Sequence, residues 1–116
     1  MQDEKSSDMI DLPKPIADYV DANARLDAEG MLKSFTTDAV VKDDGGTHSG
    51  HAELLRWLQE ATIASEAIFT PDTVRREDGQ FVLEGLTSGN FNGSPFRFTF
   101  RFTIENDLIT ALVISI

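Results

Sequence analysis

The chain has 116 residues, a formal charge of −10, 41% hydrophobic side chains and no cysteine. That length and composition fit one compact domain with a single core, and the lack of cysteine excludes disulfides, zinc–thiolate centres and cysteine nucleophiles. Twenty acidic against ten basic residues argue against nucleic acid or an anionic membrane surface as partner, because both are held by clustered Lys and Arg.

Taken in order, residues 1–11 are polar and charged and read as a mobile arm. They contain no apolar segment of the kind a signal peptide carries, so a cytoplasmic location is expected. The domain proper is expected over residues 12–116. Leu12-Pro13-Lys14-Pro15 opens a helix, since proline is tolerated in a first turn. Ile16, Tyr19, Val20 and Asn23 recur on one of its faces, and the helix is expected to end near Asp27. A short second helix follows from Ala28 to Phe35. Thr36-Thr37-Asp38 reads as a polar break before a strand that starts at Ala39 and reaches Asp43. Asp44-Gly45-Gly46 is a turn, with Asp44 as its turn former, and His48 falls in the loop beyond. His51 begins a third helix, running to about Ala64, with Leu54, Leu55, Leu58 and Ala61 as its buried stripe and Trp57 beside them.

From Ala67 onward the pattern is β. A strand to Glu77 carries Pro71, which suits a sheet edge. Asp78-Gly79 is a hairpin signal, and Gln80 to Gly89 returns. Phe96, Phe98, Phe100, Phe102 and Ile104 then alternate strictly with Arg97, Thr99, Arg101 and Thr103. Leu108 to Ile116 forms the last strand. Helices first and an antiparallel meander afterwards define an α+β fold: a curved antiparallel sheet packed against about three N-terminal helices. A strongly bent sheet leaves an internal pocket at one end.

Proton-transfer chemistry is expected where the first strand delivers acids and histidines together. Asp43 is the candidate base. His48 is a candidate auxiliary acid or base, since imidazole as a residue type suits proton transfer under physiological conditions. His51, at a helix start, is better suited to packing against the chain entry. Two histidines without a clear third ligand do not make a metal site. Ile16, Asn23, Trp57, Phe98 and Phe100 are the expected pocket lining, with Asn23 either bonding inside the cavity or satisfying backbone. Arg97 and Arg101 face the other side of the sheet and are expected to meet acids on neighbouring strands or to sit at a dimer interface across the sheet.

Three stretches resemble the cone-shaped superfamily of nuclear transport factor two, ketosteroid isomerase, scytalone dehydratase and the SnoaL-like polyketide cyclases. They are the helix with Tyr19 followed by Leu26-Asp27-Ala28-Glu29 and Phe35 to Val41, then Asp43 to Leu58, and then Gly89 to Pro95 with Phe100-Arg101-Phe102 and the last hairpin. The resemblance covers about Leu12 to Ile114. It implies that Tyr19 and Asp43 match the isomerase's oxyanion-hole tyrosine and proton-shuttling aspartate, with no gap between them. The isomerase's second donor, a protonated aspartate, falls near Phe98 or Thr99, neither of which is an acid. His48 is the nearest equivalent of the histidine that the cyclases and the dehydratase pair with acids. By resemblance the chain is expected to form a homodimer through its sheet and to need no cofactor. Two functions follow: cofactor-free proton transfer on a small apolar carbonyl compound by an isomerase, cyclase or dehydratase, or ligand binding or dimerisation without catalysis.

Overall fold

The computed structural model describes residues 12–43 and 45–116. The expectations for the N-terminal arm and for Asp44 lie outside the described residues. Helix α1 (Lys14–Ala24) starts directly after Pro13, with Pro15 in its first turn. It ends earlier than expected, because Leu26 takes a positive φ that no helix continues through. Asp27 then caps α2 (Ala28–Leu32), its carboxylate accepting from the Gly30 N–H at 3.0 Å.

The first strand, β1 (Phe35–Asp43), is nine residues long and absorbs the expected polar break. Thr36, Thr37 and Asp38 fall where its register with β6 is irregular, between the pairs Phe35–Ile109 and Val40–Ala111, so they need no apolar alternation. The expected loop around His48 is an edge strand, β2 (Gly46–Ser49), which places His48 opposite Val41. Helix α3 (Gly50–Trp57) follows and widens into a π-helical segment, Leu58–Ile63, with the Ala64 N–H bonded to the Gln59 carbonyl. The meander is β3 (Ile68–Glu77), β4 (Gln80–Ser88), β5 (Phe96–Glu105) and β6 (Leu108–Ser115). Among the described residues no helix is long and apolar enough to cross a membrane.

The six strands form one sheet in the order β2-β1-β6-β5-β4-β3. Its neighbours are antiparallel except β1 and β6, so the sheet is mixed where the sequence pattern suggested antiparallel pairing throughout. The exception arises because the meander's last strand returns beside β1 in the direction β1 itself runs. Pro71 lies on the edge strand β3, at a register shift before Thr73.

The phenylalanine ladder grades the interior. Phe96 is 41% exposed, Phe98 is half-buried and Phe102 is fully buried, so the ladder runs from a mouth to a closed base. Tyr19, Phe35, Leu54, Leu58, Leu112 and Phe102 belong to one core between helices and sheet. Gly85 lets β3 close over that core. A Cβ there would lie 2.1 Å from the Thr70 carbonyl oxygen and 2.6 Å from Pro71 Cα, both backbone atoms that cannot rotate away. Gly85→Ala is therefore expected to lower stability by about 3 kcal/mol through overpacking. Thermal unfolding followed by circular dichroism measures this, and an unchanged midpoint would show that β3 is not held this closely.

The opposite face of the sheet carries the ion pairs expected of Arg97 and Arg101. Arg97 forks onto both oxygens of Asp72 at 2.9 Å, and Arg101 donates to Glu77 at 3.2 Å. Arg75 joins Glu77 and Glu84. The Arg97 guanidinium holds Asp72 below its ordinary range, as Arg75 and then Arg101 do for Glu77. These exposed pairs contribute little to stability. Their role is to keep this face polar.

A candidate active site in the cone

Helix α1, the end of β1, the α3–π segment and the strands β3 to β6 enclose a cavity of about 190 Å³. Six aromatic rings line it: Tyr19, Trp57, Phe69, Phe91, Phe98 and Phe100. Of the expected pocket residues, Asn23, Trp57, Phe98 and Phe100 lie on its wall. Ile16 does not: it is fully buried in the core, because it points into the helix–sheet seam one turn before Tyr19.

Tyr19 and Asp43 both line this cavity. The tyrosine ring is fixed by edge-on contacts with Phe35 and Phe102, each with centroids 5.7 Å apart. Burial, and then the negative charge of Asp43, push the Tyr19 hydroxyl's pKa far above the ordinary tyrosine range. The phenol is thus a proton-bearing donor, and its titration senses the Asp43 carboxylate. Asp43 sits at the last position of β1 and is half-buried. Its Oδ2 accepts a hydrogen bond from Trp57 Nε1 at 2.9 Å. That bond aims the carboxylate and leaves Oδ1 uncommitted among the described contacts.

Trp57 thus has two roles: it belongs to the core and it orients Asp43. The indole also stacks on His48, with ring centroids 6.0 Å apart and planes inclined by 29°. His48 itself is not among the lining residues, so it reaches the site through Trp57 rather than by touching its contents. His51 serves packing: its Nε2–H donates to the Phe35 carbonyl at 3.1 Å and ties α3 to the start of β1.

Asn23 is committed to backbone. Its amide donates to the Ala67 carbonyl at 2.9 Å and accepts from the Phe69 N–H at 2.7 Å. It clamps α1 to the first residues of β3. One N–H and the oxygen of its side chain are used in this way, although it borders the cavity.

The sequence reading did not include Ala61, Thr62, Ser65, Phe69, Thr87, Phe91 and Ile114 in the wall. Phe69 is stacked on Phe100 at 3.9 Å between centroids. Thr87 follows Leu83 and Gly85 in the alternation of β4, a signal that was present. Phe91 comes from the β4–β5 turn, which is held against the turn after the π segment by the Asn90 N–H donating to the Ser65 carbonyl at 2.7 Å.

A curved open sheet closed by helices into an aromatic cavity, with a tyrosine and an aspartate on its wall, defines a cone of the ketosteroid isomerase-like class. Residues 16–112 match the model of the SnoaL-like domain, and the chain belongs to that family. Among solved structures, a candidate polyketide cyclase from Sinorhizobium meliloti is 33% identical, with a TM-score of 0.84 over 90% of this chain and 95% of that one. A ketosteroid isomerase-like protein from Catenulispora acidiphila, crystallised with trimethylamine, is 18% identical, with a TM-score of 0.78 over 91% and 87% of the two chains. A protein like nuclear transport factor two from Cytophaga hutchinsonii is 13% identical, with a TM-score of 0.73 over 93% and 91%. The last two share the fold alone. No curated protein matches the chain in sequence.

Proposed function

We propose that the chain is a cofactor-free enzyme that moves a proton on a small carbonyl compound, as an isomerase, cyclase or dehydratase does. One observation carries this reading: Tyr19 and Asp43 line the same apolar cavity, and Trp57 fixes the carboxylate there. Abstracting a proton beside a carbonyl needs a base at the carbon and a donor at the oxygen that gains charge. Asp43 Oδ1 takes the proton, the C–H electron pair moves into the enolate, and the Tyr19 O–H donates to the enolate oxygen. Asp43 returns the proton at another carbon in an isomerisation. If a leaving group sits β to the carbonyl, its departure completes an elimination. His48 contributes at one remove, by stacking on the indole that holds Asp43.

The cavity volume bounds the substrate. Apolar cavities of about 150 Å³ hold a benzene-sized molecule. A single ring therefore fits within 190 Å³, whereas four fused rings would project through the mouth. The second reading, binding without catalysis, is favoured by the residues at Phe98 and Thr99, since neither supplies a second acidic donor. The trimethylamine in the Catenulispora protein is consistent with a cone that simply holds a small guest.

The test is deuterium uptake from heavy water into cyclohexanone, followed by proton NMR. The native protein is expected to accelerate exchange above buffer. Tyr19→Phe removes an oxyanion donor and is expected to lose about a hundredfold or more of that acceleration. No exchange above buffer with this and other small enolisable ketones leaves the binding reading in possession.

A further inference from the structure

We propose that Thr87 is a ligand-contacting residue, and that the substrate carries a second hydrogen-bonding oxygen, beyond its carbonyl, that meets the Thr87 hydroxyl. The carbonyl half of this statement rests on the proton-transfer reading above. The Thr87 half rests on its own observations.

Most polar groups around the cavity already have partners or a solvent-facing side. The Asn23 amide is held by the backbone at Ala67 and Phe69 and is only 3% exposed. The Trp57 N–H is spent on Asp43. Tyr19 and the free oxygen of Asp43 serve the reacting carbonyl. Thr87 remains. It lines the cavity, it is only 8% exposed, and its Oγ1 is fully buried with no hydrogen-bond partner among the described residues. A buried hydroxyl left without a partner is costly, and such groups are rare in folded proteins. The residue borders the cavity while its oxygen is turned inward, so a turn about the Cα–Cβ bond brings the hydroxyl to a molecule with a matching group that fills the cavity.

The position defines what that molecule looks like. Thr87 lies on β4, three strands across the sheet from Asp43 on β1, with β6 and β5 between. Its cross-strand partners are Phe69 and Phe96, so its surroundings are otherwise apolar. A hydroxyl both donates and accepts, so it takes either a hydroxyl or a second carbonyl. The ligand class is therefore a one-ring compound with oxygen functions at opposite ends, one facing Tyr19 and Asp43 and the other facing Thr87.

The experiment compares cyclohexanone with 4-hydroxycyclohexanone by calorimetric titration of the full chain, alongside thermal melts without ligand. The native protein and Thr87→Ser are expected to prefer the hydroxylated ketone by about fivefold, the size of one net hydrogen bond. Thr87→Val keeps the side-chain shape and is expected to bring the two ketones within twofold of each other. Because it removes an unpartnered buried hydroxyl, Thr87→Val is also expected to melt higher by roughly 4 °C. A native protein without the preference, or a Thr87→Val variant that keeps it, overturns the proposal. If neither ketone binds the native protein, the carbonyl reading falls, and the melts decide the Thr87 claim. A lower midpoint for Thr87→Val then shows that the hydroxyl is satisfied by the protein or a fixed water and overturns the proposal, while a higher one upholds Thr87 as a group awaiting a ligand.

Discussion

Asp43→Asn is expected to abolish proton transfer while leaving the fold intact. Asparagine matches the shape of aspartate, and its amide oxygen can still accept the Trp57 N–H that Asp43 Oδ2 accepts at 2.9 Å. The side chain stays in place, but its second oxygen is replaced by an amide nitrogen that takes up no proton near neutrality. A positioned general base contributes about 10² to 10⁴ in rate. Deuterium exchange into cyclohexanone should fall by at least the lower figure, with a melting temperature close to native. The paired measurement matters, because a melting temperature that also collapses would place Asp43 in the structure rather than in the chemistry. Exchange at the native rate in a well-folded Asp43→Asn protein would remove Asp43 as base.

The second large effect concerns stability. Asn23→Ala is expected to lower stability by about 3 kcal/mol or more, because it strips partners from two backbone groups at once. The Ala67 carbonyl and the Phe69 N–H lose the amide that serves both, and Phe69 lies in a buried setting against Phe100. The loss should appear as a fall of roughly 10 °C in the thermal midpoint. Asn23→Asp is informative beside it. The carboxylate can still accept from Phe69 but sets an oxygen against the Ala67 carbonyl and buries a charge, so its midpoint at neutral pH should fall at least as far as that of Asn23→Ala. A midpoint within a degree of native for Asn23→Ala would show that the clamp between α1 and β3 is replaced by water.

The parts of this structure that were legible in the sequence have local signals. The ladder from Phe96 to Ile104 repeats every two residues, and period two on one side of a strand needs no partner to be read. Tyr19 shares a helical face with Asn23, and Asp43 ends a β-branched run, so both could be placed near an interior. The strand β2 was not legible, because four residues with two glycines or serines carry no alternation of their own. Its pairing with β1 shows only after the hairpin closes. Thr36 to Asp38 looked like a break because they lie at a register irregularity, where polar side chains are tolerated. The commitment of Asn23 to residues 44 and 46 positions away leaves no trace near Asn23 itself. For the same reason the link from Trp57 to Asp43 was invisible: it joins a helix to a strand end across a hairpin. The cavity wall is assembled by curvature, which brings Phe69 and Thr87 to the same space as residues on α1 and β1.

The π-helical segment Leu58–Ile63 has an evolutionary consequence. A single wide turn of this kind amounts to one residue more than an α-helix of the same path requires. Deleting one codon there would restore the ordinary helical turn and redirect the side chains within it, while the flanking turns keep their phase. Ala61 and Thr62 occupy that segment and form part of the cavity wall. A lineage could thus reshape one wall of the cone by a one-codon change in length, without disturbing any strand of the sheet. Length variation at this point, more than substitution, is where diversification of guest selection among related chains would leave its mark.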